Sequence, residues 1–228
     1  MEAFRGIGLV LRTGRLRKLC VFPLLLSLAV YAGVGIFGGI FAIDFLDRFL
    51  DDTWLAWTRP ILILLWLVLF PFLFTALAGV FFPMFFDRLS LAVEETVAPG
   101  STIPNAPPPL GTALRDTFAR IVFNAFLTVG ALLLSVFLPL GPIPWFIATG
   151  IIGLLDFSAP AFLRRGITLG PQTRHLLPPT GGTFGFAITA GLLLLIPIVG
   201  VFFLPGLVAG GTLLARKHSP DPPVVRIP

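Results

Sequence analysis

The chain has 228 residues, of which 56% are hydrophobic and only 12% charged, with a net charge of +5 and a mean hydropathy of +0.98. Soluble domains carry about 25% charged residues and disordered chains are poor in apolar residues, so both classes are excluded. An all-α polytopic membrane protein remains, with one integral membrane domain over residues 1–218 and a Pro-rich, disordered tail over 219–228. The 24 Gly and 22 Pro are too many for simple straight spans, so interrupted apolar segments are expected. The lone Cys20 cannot form an internal disulfide and acts as a small hydrophobe in its apolar run.

Stretches without a charge mark the membrane segments. The first, Leu19 to Ile43, has 25 residues, enough to cross a hydrocarbon core of about 30 Å. Asp44 to Trp57 then places Phe45, Leu46, Phe49, Leu50 and Trp54 between acids, the spacing of a short amphipathic helix at the interface. The second span, Ile61 to Phe86, contains Pro71 and Pro83, and a kink at Pro71 is tolerated in a membrane helix. Asp87 to Val97 is compatible with a helix that continues into water, and Ala98 to Gly111 reads as a loop. A further helix starts in water over Ala113 to Arg120 and enters the membrane at Ile121.

The next uncharged stretch, Ile121 to Leu155, is broken at Pro139-Leu140-Gly141-Pro142-Ile143-Pro144 into arms of 18 and 11 residues. The shorter gives roughly 16 Å of helix. The last stretch has one arm from Thr183 to Ile196, interruptions at Pro197, Gly200 and Pro205-Gly206, and nine more residues from Leu207 to Ala215. Two re-entrant helical hairpins are the economical reading. Kinked single helices, or tight hairpins through a thinned bilayer, are the alternatives. Irregular backbone at membrane depth must be buried in protein or line a wet cavity, and paired broken helices are the sequence pointer to a transport site.

Fourteen of the 16 basic residues fall on one side of this topology, and segment 44–60 carries two against four Asp. The positive-inside rule places both termini in the cytoplasm, which accounts for the basic excess without nucleic acid. No G-x-x-x-x-G-K-[ST], H-E-x-x-H or G-x-S-x-G occurs, and His175 and His218 are not spaced as metal ligands. No catalytic residue, metal site or cofactor is expected. The apolar spans contain no Asp, Glu, Lys or Arg, which weakens a proton- or sodium-coupled pump.

Three constellations stand out. Gly14-Arg15-Leu16-Arg17-Lys18 precedes the first span. Its cations and the free N–H groups of a helix start form an anion-binding candidate, while basic flanks of a first span are also ordinary topology signals. Arg164-Arg165-Gly166 joins the two hairpins, so its cations are candidates to sit over their mouth. Gly35 with Gly39, and Gly206 with Gly210, are spaced for close helix packing inside the subunit.

The order of these features resembles the CysZ-like sulfate transporters, grouped with the etoposide-induced membrane proteins. Four pieces carry the resemblance. Gly14-Arg15-Leu16-Arg17-Lys18-Leu19-Cys20-Val21-Phe22-Pro23-Leu24-Leu25 resembles the family's basic opening and apolar-Pro-Leu-Leu helix start. Leu155-Asp156-Phe157 with Phe162-Leu163-Arg164-Arg165-Gly166-Ile167-Thr168 resembles its Leu-Asp-aromatic and Arg-Arg-Gly-Leu-Ser loop. Phe184-Gly185-Phe186 resembles the Gly-Phe-Gly opening of the last hairpin. Leu195-Ile196-Pro197 and Leu204-Pro205-Gly206-Leu207-Val208-Ala209-Gly210-Gly211-Thr212 resemble its ending.

The resemblance implies an inner-membrane protein with two long spanning helices and two pairs of partly penetrating helices. It also implies homo-oligomers and sulfate uptake for cysteine synthesis. The family's Gly-Leu-Arg-Arg sulfate motif falls on Arg15-Leu16-Arg17-Lys18 when aligned on Pro23. Arg15 there replaces the Gly, and Lys18, a point charge rather than a planar fork, replaces the second Arg. The Asp-Tyr-Pro pattern reads Asp156-Phe157-Ser158. The expected function is therefore channel-like transport of an inorganic oxyanion, sulfate foremost, across a bacterial inner membrane, with Gly14, Arg15, Leu16, Arg17, Lys18, Arg164 and Arg165 as anion-binding residues. The rival is a membrane scaffold or lipid-binding protein that transports nothing.

Overall fold

A computed structural model describes residues 2–49, 60, 61, 64, 85–100, 109–137, 142–178 and 180–219. The secondary structure there is helical: α1 (Glu2–Arg12), α2 (Gly14–Phe49), α3 (residues 85–97), α4 (Leu110–Phe137), α5 (Ile143–Arg164), α6 (Leu169–Leu176), α7 (Gly181–Leu195) and α8 (Pro197–His218). Among the described residues, four helical segments are long and apolar enough to cross a membrane: Gly14–Gly38, Leu110–Val136, Ile143–Arg164 and Val199–His218. A fifth candidate is α6 with α7, bent by 109°. The chain is a polytopic membrane protein, all-helical over the described residues.

Several sequence expectations change. Residues 44–49 continue α2 instead of starting an interfacial helix, while 50–59 and most of the second expected span lie outside the described residues. So do the hairpin tip at Gly141 and the tail from residue 220. The arms of the first hairpin have 28 and 22 residues, not 18 and 11. By length, neither α4 nor α5 is too short to span. The shorter counts stopped at the first charge, whereas both helices run on through charged residues that find partners. Pro197, Gly200 and Pro205-Gly206 do not break the last stretch repeatedly. The break is at Ile196 alone, with Pro197 in the first helical turn, where its missing N–H costs nothing. Pro205 and Gly206 lie inside α8.

The chain forms two compact units, residues 18–85 and the remainder. In the first, α2 carries Pro23 in its interior, and the rings of Phe22 and Phe85 lie 5.6 Å apart. In the second, α8 is the centre, with Val201, Leu207, Val208, Ala209, Leu214 and Ala215 buried.

Glycine lets backbones touch α8 directly. A Cβ at Gly6 of α1 would overlap the Gly210 nitrogen and the Gly206 carbonyl. One at Gly210 would come 2.8 Å from Ala3 Cα, and one at Gly211 would come 2.5 Å from the Phe157 carbonyl of α5. The Gly206/Gly210 pair thus packs inside the subunit, as its spacing predicts. Between α5 and α7, a Cβ at Gly150 would lie 2.7 Å from the Ala187 carbonyl, and one at Gly191 2.9 Å from the Phe146 ring.

The crossing gives a direct contrast. Gly6→Ala overpacks the α1–α8 contact and should destabilise the protein by about 1–3 kcal/mol. Gly8→Ala points into open space and should be neutral or stabilise by up to about 1 kcal/mol through helix propensity. Unfolding midpoints in mixed detergent micelles compare them, and equal effects would contradict the packing.

Candidate functional site

The first candidate is the opening of α2. Thr13 alone separates it from α1, and hydrogen bonding continues on both sides: Thr13 N–H donates to Leu9 O and Arg17 N–H to Thr13 O, each at 3.0 Å. Leu16 is fully buried and anchors this turn, while Gly14, Arg15, Arg17 and Lys18 are exposed. Arg15 Nη2 lies 3.0 Å from Glu95 Oε2, a pair with both side chains substantially in solvent and worth at most about 1 kcal/mol. Arg17 and Lys18 have no ion-pair partner among the described residues. The Arg17 guanidinium folds back over Gly14, where an added Cβ would lie 3.9 Å from Nη2.

Arg164 and Arg165 sit elsewhere, at the end of α5. That helix closes with Gly166 N–H to Leu163 O and Ile167 N–H to Phe162 O, the pattern that needs a left-handed residue after the cap. Gly166, at φ +72°, supplies it. The turn directs both guanidiniums onto α3. Arg164, 4% exposed, donates to the carboxylate and carbonyl of Asp87, to Ser90 Oγ at 2.8 Å and to Glu94 Oε1 at 3.2 Å. Arg165 donates to both Glu94 oxygens at 2.8 and 3.1 Å. Thr212 of α8 joins through a 2.8 Å bond to Ser90 Oγ. The two cations are thus engaged by carboxylates, and the cluster fastens α3, α5 and α8 together.

The third feature lies among α4, α5 and α6. Asp116, buried on α4, accepts from Arg120 Nε at 2.7 Å and from the Leu169 N–H that opens α6, also at 2.7 Å. Thr168 at that helix start makes no side-chain cap bond, so Asp116 caps α6 from another helix. Arg120 also donates to Gln172 Oε1 at 2.6 Å and to Leu155 O at 3.3 Å, with Asp156 Oδ1 3.7 Å away. Asn124 donates to Asp156 Oδ2 at 2.8 Å. Gln172 donates to Leu155 O and Ser158 Oγ at 2.7 and 2.9 Å.

Asp116, Arg120 and Asp156 fall inside Leu110–Val136 and Ile143–Arg164. The candidate spans therefore do hold ionisable residues, contrary to the sequence reading, which defined each span by the absence of charge. Asp116 and Arg120, four apart on one helix face, were the available signal; their partners on α5 and α6 were not readable. No cluster of three or more metal-ligand side chains occurs among the described residues.

Four apolar membrane-crossing candidates among the described residues define a polytopic membrane protein, and the head of one of them carries exposed cations. The family model described as Sulfate transporter CysZ/Etoposide-induced protein 2.4 matches residues 2–205, and the chain belongs to that family. Its description names transporters rather than enzymes. No curated protein matches the chain.

The α4–α5–α6 network predicts an asymmetric mutational response. Arg120→Leu leaves Asp116 buried without its cation and should cost about 3–5 kcal/mol. Adding Asp116→Asn should restore part of that loss, a coupling that a double-mutant cycle measures. Arg174→Gln, on an exposed position of α6, should change stability by no more than about 0.5 kcal/mol.

Proposed function

We propose that the chain carries an inorganic oxyanion, sulfate before others, across a bacterial inner membrane for cysteine biosynthesis, by channel-like flux without ATP hydrolysis and as a homo-oligomer. Family membership over residues 2–205 is the observation that carries this reading. The opening of α2 supports it: Arg17 and Lys18 are exposed cations next to a helix start, with Arg15 held only by a surface pair. These residues, with the backbone from Gly14 to Leu16, recruit the anion on the cytoplasmic side. Arg164 and Arg165 contribute by holding α3 against α5. The missing nucleotide-binding motif supports flux without ATP, and Asp116, Arg120 and Asp156 within α4 and α5 lie in one ion-pair cluster.

The same reading takes the α7–α8 hairpin as re-entrant. α7 has 15 residues, about 22 Å of helix against a core of about 30 Å. α1 crosses α8 at Gly206–Gly210, near its midpoint. A spanning α8 would carry Glu2, Arg5 and Arg12 of α1 toward mid-bilayer, at a cost of several kcal/mol. A hairpin returning to its side of entry leaves α1 at the surface.

Two measurements test these points. A charge-assisted contact contributes about 1.5–3 kcal/mol, and about 1.4 kcal/mol is tenfold in affinity. Arg17→Ala should therefore raise the sulfate dissociation constant at least about tenfold in calorimetry at fixed salt, whereas Arg5→Ala should leave it unchanged. Radiolabelled sulfate uptake into liposomes holding only this protein separates a transporter from a scaffold. For the hairpin, Ile196→Cys in a Cys20→Ser background should resist an impermeant thiol reagent applied outside whole cells; strong labelling would mean that α7 and α8 span.

A further inference from the structure

α1 presents more outward-facing chemistry than its packing on α8 uses. Glu2, Ala3, Gly6 and Val10 are buried and occupy one side. Residues seven apart on a helix share nearly one line, about 10 Å along the axis. Two such lines remain. Phe4 and Leu11 form the first and are 60% and 63% exposed. Arg5 and Arg12 form the second; both are exposed, and Arg5 has only a 3.5 Å contact to Glu2. At roughly 100° per residue, the cationic line lies about a quarter turn from the apolar line, with Gly8 between them.

The neighbouring chain fixes what these lines meet. Only Thr13 separates α1 from α2, whose residues Gly14–Gly38 are a candidate membrane span. α1 thus ends seven residues before Leu19, where the charge-free run of α2 begins. No Asp or Glu occurs from residue 3 to residue 43, so the net charge at this surface is positive. An apolar edge beside a row of cations is the pattern of a helix lying in the plane of the interface, and cations at a membrane surface attract anionic lipid.

We propose that the outward side of α1 is a docking surface for anionic phospholipid, with Phe4 and Leu11 among the acyl chains and Arg5 and Arg12 on the headgroup phosphates. Because the same α1 crosses α8 through Gly6, Gly206 and Gly210, the lipid contact sets the depth of α8. The inference shares the surface position of α1 with the re-entrant reading but is independent of the substrate. Thiol labelling at position 196 and the measurement below fail separately.

The test uses the full chain in nanodiscs with a bimane fluorophore on Gly8→Cys in the Cys20→Ser background. A side chain at Gly8 meets open space, so the probe is tolerated. Phosphatidylglycerol with a nitroxide high on its acyl chain should quench it about threefold or more over phosphatidylcholine labelled likewise, at equal mole fraction. Arg5→Gln with Arg12→Gln should abolish that preference while quenching by phosphatidylcholine persists. Phe4→Ser with Leu11→Ser should lower quenching by both lipids. Equal quenching in the parent, a preference that survives loss of both arginines, or no quenching by either lipid would overturn the proposal.

Discussion

A guanidinium in an apolar bundle must keep its counter-charge, because an unpaired buried ion costs several kcal/mol. Two arginines impose that condition here and much of the helix arrangement follows from it. Arg120 holds Asp116, Gln172 and the Leu155 carbonyl, which ties α4, α5 and α6. Arg164 holds Asp87, Ser90 and Glu94, which ties α3 to α5 and, through Thr212, to α8. Each arginine has several partners on other elements, so the clusters specify which helices are neighbours as well as stabilising them.

Glycine does for the backbone what the arginines do for the side chains. α8 accepts α1 at Gly206 and Gly210 and α5 at Gly211, all at distances that a Cβ would forbid. Leu, Ile and lipid tails are equally apolar, so burial alone gives helices little reason to choose one another in a bilayer; close packing and hydrogen bonds supply the preference.

The helical membrane class was legible from composition, and the first span from an uninterrupted apolar run. The lengths of α4 and α5 were not. Counting outward from apolar residues stops at Arg120 and at Asp156, yet both lie within helices because each has a partner brought in from elsewhere in the chain. α1 was missed although Phe4, Ile7, Val10 and Leu11 recur at helical spacing, because the reading began from uncharged stretches and Arg5 and Arg12 interrupt this one. Of the candidate anion residues, Arg15, Arg17 and Lys18 are exposed in the fold. Arg164 and Arg165 were read as anion-binding because Glu94, the carboxylate that engages both, is some 70 residues away in sequence and only the fold brings it beneath them.

The α1–α8 crossing joins residues roughly two hundred positions apart. Closing a loop of that length costs entropy before any contact rewards it, and such distant pairings form late. During synthesis α1 emerges long before α8 exists, so its Gly6 face has no partner while the intervening helices insert. Completion of this unit therefore waits on α8: the groove at Gly206 and Gly210 closes only when that helix has been made, and until then α1 must wait at the membrane with its packing face uncovered.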